Sequence, residues 1–237
     1  MRDLDRAPTD WRARGRDIRA WVGRPWNSRA TLSYFLILVS NRVVIASLSG
    51  LTNRRGQPLG LDTLVLRAVS TNLNRLRQDP FNVLISSAFF VESAWEVVVF
   101  GIAAVLLLAP LERRIGSRRW LTAFVAGHVG ATLIVAAALA LAVNTHRLVA
   151  GANRTIDVGM SYGTCALLGI ASLVFTVDSR RRRAIASGSL VVATVLGLAI
   201  GRTYTDWGHL TAAVIGLILG LLFTSRTPAP SRPQPEP

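Results

Sequence analysis

An all-α membrane protein, a bundle of six transmembrane helices, is the fold class this sequence predicts, and three observations predict it. Hydrophobic residues make up 51% of the 237, with a mean hydropathy of +0.40. They are gathered into near-uncharged runs of about twenty residues, the length of helix that crosses ~30 Å of hydrocarbon. The basic residues stand between these runs; all 27 are arginine, and the net charge is +14. Such a charge could suit nucleic acid, but punctuation of this kind marks topology and contact with the anionic lipid bilayer. No nucleic-acid partner is expected.

Taken in order, residues 1–29 form a basic segment with eight Arg, four Asp and Trp11, Trp21 and Trp26. The mixture predicts an amphipathic stretch lying on the inner leaflet. The first apolar run begins too far along for a secretory signal. That run, 31–50, is interrupted by Asn41 and Arg42. A charge inside a span needs a partner, and Glu92 or Glu96 at comparable depth is expected to supply it. In the following loop Leu61, Leu64, Leu66, Val69, Leu73 and Leu76 recur at helical spacing, which predicts an interfacial helix. The stretch 81–110 is too long for one crossing, so its opening is expected at the interface.

The third span is 120–143 and contains His128, for which a structural hydrogen bond is expected; His146 in the next loop is expected to be solvated. The fourth span is 156–176, the fifth 184–201 and the sixth 207–224. Between the fourth and fifth, Arg180 to Arg183 read as a topological stop. The membrane domain is therefore 30–225, followed by a proline-rich tail, 226–237, expected to be disordered. Six spans leave both termini on one side. Apart from Arg42, that side collects 18 arginines and the other 8, which places both termini in the cytoplasm.

The chemistry is concentrated in the fourth and sixth spans. Gly159, Gly163 and Gly169 thin the one; Gly208, Ala212, Gly216 and Gly220 repeat every fourth position along the other. Small residues let two backbones approach closely where lipid offers no hydrophobic drive. Near the same end of these helices stand Ser161 and His209. A serine hydroxyl is a weak nucleophile until a base accepts its proton, and histidine does so near neutral pH. Asp157 and Asp206 read as N-caps opening the two spans, and Met160 and Thr164 as packing residues. The single Cys165 excludes an internal disulfide. No metal-ligand cluster, phosphate loop or nucleotide motif is present, so neither metal nor cofactor is expected.

Four pieces, in this order, carry a resemblance: DPFNVLISSAFFVES (79–93), LERRIGS (111–117), GMSYG (159–163) and GHLTAAVIG (208–216). Together with the six-span topology they resemble the rhomboid family of intramembrane serine proteases. The resemblance implies Ser161 as nucleophile and His209 as general base, cleaving peptide bonds of transmembrane protein substrates in a bacterial plasma membrane. It implies that Gly159 and Tyr162 line the site, and that Glu112, Arg114, Gly116 and Gly216 belong to structural motifs. Two positions depart from the family's pattern. Glu96 and Phe100 stand where its second span carries the His and Asn of an oxyanion-stabilising HxxxN, and the loss of one such donor typically costs ~10²–10³ in rate. Tyr162 stands where the family has glycine. A protease and a catalytically silent binder of transmembrane clients are therefore both carried forward. A small transporter would show an inverted repeat, and none is found.

Overall fold

The computed structural model describes residues 27–145, 158–201 and 203–225. The basic N-terminal segment, His146, Asp157 and the proline-rich tail lie outside them. Among the described residues the fold is helical, with a single isolated bridge between Thr52 and Pro58. Five helices are long and apolar enough to cross a membrane: α1 (Arg29–Ser49), α5 (Ala94–Ile115), α6 (Ser117–Asn144), α8 (Arg180–Gly201) and α9 (Tyr204–Ser225). A sixth apolar helix, α7 (Ser161–Val174), is shorter.

The expected loop helix is split into α2 (Leu61–Val69) and α3 (Leu73–Gln78). Asn72 caps the second of these, its side chain accepting from the Arg75 N–H. The long stretch 81–110 also divides. Its opening forms α4 (Pro80–Ser86) with a 3₁₀ turn at Ser87–Phe89, and the span proper begins at Ala94. One face of this opening packs into the bundle, with Val83, Ser87, Ala88 and Val91 buried, while Phe81 and Ile85 are exposed on the other. It hangs from α1 by two bonds: the Tyr34 hydroxyl donates to the Ala88 carbonyl, and Asn41 Nδ2 donates to the Phe89 carbonyl at 2.8 Å.

The local signals that start α5 are strong. Ser93 accepts from the Glu96 N–H at 3.3 Å, and Glu96 Oε1 accepts in return from the Ser93 N–H at 3.1 Å, a reciprocal capping box. The helix widens to a π turn at Ala104–Leu108 just ahead of Pro110, whose missing N–H leaves the ordinary ladder without a donor. Gly116, at φ +83°, makes the turn into α6, a conformation that glycine adopts without steric cost.

At the arginine-rich end the LERRIGS segment joins three elements. Glu112, buried, accepts from the Ala30 and Thr31 N–H groups at 2.9 and 2.8 Å and from Ser117 Oγ at 2.6 Å. The first two donors belong to the opening turn of α1, where N–H groups have no partner within the helix and a carboxylate is electrostatically favoured. Arg114 reaches α7, donating to the Val174 carbonyl at 3.4 Å with its guanidinium 5.0 Å over the Phe175 ring.

The core sits where α1, α5, α6 and α7 meet. Tyr34 lies against Phe89, Phe100, Trp120 and Phe124, and the last two stack at 5.6 Å. The tightest pairing of the bundle joins α7 to α9. A Cβ on Gly216 would run into the Ala166 carbonyl, and one on Gly169 would stand 2.7 Å from the Ala213 carbonyl. The repeat of small residues therefore brings backbone onto backbone.

Candidate functional site

Ser161 is the first residue of α7. Fourteen residues make a helix of about 21 Å, some 9 Å short of the hydrocarbon thickness. α7 is thus shorter than the expected span 156–176: the described residues 158–160 lead into it and Phe175 and Thr176 follow it as a turn. The first rung of its ladder runs from the Thr164 N–H to the Met160 carbonyl at 2.9 Å. The N–H groups of the opening turn lie outside that ladder, as at any helix start.

His209 lies in the second turn of α9, and its surroundings place it relative to Ser161. Close approaches pair Tyr162 with Gly208, Ala166 with Gly216 and Ile170 with Gly220. The numbers rise together, so α7 and α9 run parallel. They face each other through Tyr162 and Gly208, where a Cβ would strike the Tyr162 ring. Each residue turns a helix by about 100°. One step back on α7 and one step forward on α9 therefore turn to the same flank of the pair, at nearly the same level. Those two positions are Ser161 and His209.

The two side chains share this flank without a hydrogen bond between them. His209 instead makes an edge-on contact with the Tyr162 ring, centroids 5.4 Å apart. Tyr162 is buried and continues a row of rings, with His128 at 6.3 Å on its other side and Phe124 beyond. The residue that replaces the family's glycine is thus packed between two histidines.

A further hub was not visible in the sequence. Ser87, fully buried, shares a hydrogen bond with His128 Nε2 at 3.1 Å, while its carbonyl accepts from the Gly159 N–H at 2.9 Å. The structural hydrogen bond expected of His128 is made here. Its partner is 41 positions away, a distance no local pattern spans. Ser87 thereby fastens the α4 turn both to α6 and to the segment 158–160 that leads into Ser161. Gly159 itself has φ +137°, a conformation that L side chains rarely adopt.

Glu96 reaches the same place from α5. Besides capping its own helix it accepts from Ser93 Oγ at 2.9 Å, and its Oε2 lies 3.8 Å from where a Cβ on Gly159 would stand. Arg42 is expected to pair with Glu92 or Glu96; Glu96 bonds to Ser93 instead, and Arg42 Nε is buried without a hydrogen-bond partner among the described residues. Phe100 is 1% exposed and packs in the core with Tyr34 and Phe35. Glu112, Arg114 and Gly116 lie at the opposite end of the bundle, as the turn between α5 and α6. Asp206, expected as an N-cap, occupies the third position inside its helix. There its carboxylate accepts from the Thr203 N–H at 2.9 Å and Oγ1 at 2.6 Å, while the Thr203 hydroxyl accepts from the Asp206 N–H. Among the described residues no three His, Cys, Asp or Glu side chains are gathered as a metal site would require.

The arrangement provides a hydroxyl at a helix start, an imidazole on the same flank, and a carboxylate beside the intervening glycine. A family model for rhomboid-like proteins matches residues 34–229, which covers α1 to α9 apart from the first turn of α1. No curated protein and no solved structure matches the chain. On the extent of that match, this multi-pass membrane protein belongs to the rhomboid-like protein family.

Proposed function

We propose that the protein is a serine-type intramembrane peptidase, with Ser161 as nucleophile and His209 as its general base, acting on peptide bonds of transmembrane segments. What supports this reading is the register of the parallel α7/α9 pair, which turns both residues to one flank at matching level. In the reaction His209 takes the Ser161 proton as Oγ attacks the carbonyl carbon, and returns it to the leaving amine. In this reading the N–H groups at the start of α7 would supply donors to the oxyanion. An imidazole and a hydroxyl that are apart in the resting protein fit this role, since catalytic hydrogen bonds tighten on substrate binding.

One observation favours a second reading, a rhomboid-like protein that holds transmembrane clients without cutting them. The Glu96 carboxylate lies beside Gly159, where negative charge would develop in hydrolysis, and Tyr162 packs against the base. A fluorophosphonate probe separates the two. The peptidase labels, Ser161→Ala abolishes labelling and His209→Ala slows it by about a hundredfold or more. A folded preparation that stays unlabelled beside an active rhomboid control sinks the peptidase and leaves the holding function.

A further inference from the structure

A groove of about 590 Å³ lies away from Ser161. It runs along α6 between α1 and the α4 turn, and its lining is almost wholly apolar. The walls extend from Ser117 to Val129 on α6 and from Arg29 to Ile37 on α1. Twelve helical steps make about 18 Å, slightly more than half of the ~30 Å that a crossing helix needs. The groove therefore serves one leaflet. At its deep end the bonds of Tyr34 to Ala88 and Ser87 to His128 hold the α4 turn in place.

Its shallow end, at the arginine-rich side, carries a positive charge. Arg29 stands at the mouth and is exposed. The N–H groups of Ala30 and Thr31 beside it are already taken by Glu112, so the charge offered to an anion is the guanidinium itself. Three residues beyond Ser117, about 4.5 Å deeper, the fully buried Trp120 underlies the groove wall, its ring stacked on Phe124. Deeper still, Leu121, Val125 and Ile85 expose apolar surface.

A cation at the mouth and a dry trough of one leaflet's depth behind it match the phosphate and an acyl chain of a glycerophospholipid. We infer that this groove is a binding site for one anionic glycerophospholipid, held by Arg29 at the phosphate and by the apolar walls along an acyl chain. A membrane-spanning partner helix does not fit the length, and a neutral lipid leaves Arg29 without its counter-charge.

The test uses the full-length protein in detergent, titrated with dibrominated phosphatidylglycerol or dibrominated phosphatidylcholine. Bromine quenches tryptophan at short range, and the Trp120 signal is the difference between the wild type and Trp120→Phe. Phosphatidylglycerol is expected to quench Trp120 at about fivefold lower mole fraction than phosphatidylcholine, the preference one arginine near an interface confers. Arg29→Gln removes the preference while quenching by either lipid persists. Leu121→Phe, a change at an exposed wall position, fills the trough and weakens quenching by both. Equal quenching by the two lipids in the wild type, or a preference that survives Arg29→Gln, means adventitious annular lipid only and overturns the site. So does displacement of the signal by a single-span polyleucine peptide at equimolar ratio with no response to lipid.

Discussion

Helices α8 and α9 are alike in length and apolarity and stand next to each other in the chain, yet they occupy opposite situations. None of the residues of α8 is buried, whereas α9 buries Gly208, Ala212, Ala213, Gly216 and Gly220. Both contain glycines, and the glycines explain the difference. Apart from Gly201 at its end, which faces the Asp206 carboxylate, α8 has Gly188 and Gly197, nine positions apart and so on opposite sides of the helix at 100° per residue. A Cβ on either would meet nothing within 4 Å. In α9 the small residues recur every fourth position and form one stripe, and that stripe receives α7. Hydropathy sends a helix into the membrane; the spacing of its small residues decides whether it joins the bundle or rides on the outside.

A series of glycine-to-alanine changes tests that lesson in descending order. Gly216→Ala is expected to be the most damaging, because the new methyl meets the Ala166 backbone, which has no rotamer to yield. A loss of ~3 kcal/mol or more, read by SDS titration of the detergent-solubilised protein, is the expected outcome; an unchanged midpoint would separate α7 from α9. Gly208→Ala comes next, at ~1–2 kcal/mol, since it meets the Tyr162 ring, which can turn aside. Its sharper readout is chemical. Displacing Tyr162 from His209 should change fluorophosphonate labelling at Ser161, and an identical labelling rate would show that Tyr162 does not govern the base. Gly197→Ala is the smallest and has the opposite sign. Facing open space, it should stabilise by up to ~1 kcal/mol through helix propensity alone, and a clear loss of stability would mean that α8 is packed after all.

How far the sequence reveals this structure follows the range of each interaction. Span positions and the α7/α9 seam were legible because runs of apolar residues and a four-residue repeat are local patterns. The capping box Ser93–Glu96 is local too, and it accounts for Glu96 without the pairing to Arg42. Depth along a helix can be counted from sequence, but the direction a side chain faces depends on neighbours that a residue count does not give. The start of α7 differs from the expectation for a related reason: the span is read from 156, but the described residues 158–160 lie outside the helix, and Gly159 is bonded to Ser87. Ser87 itself could not have been singled out. Nothing about one serine in SSAFF announces a histidine 41 residues away. At the site, the residue types were readable, and their placement on one flank required the register of two helices.

The clamp made by Glu112 also has a consequence in time. The carboxylate that completes the first turn of α1 lies 81 and 82 residues downstream of the N–H groups it accepts from. During synthesis the first span enters the membrane before that carboxylate exists, and its leading N–H groups must stay with water or headgroups until the end of α5 arrives. Docking of α1 is then a late event, licensed by the translation of LERRIGS, and a chain truncated before residue 112 would hold its first helix inserted but unanchored.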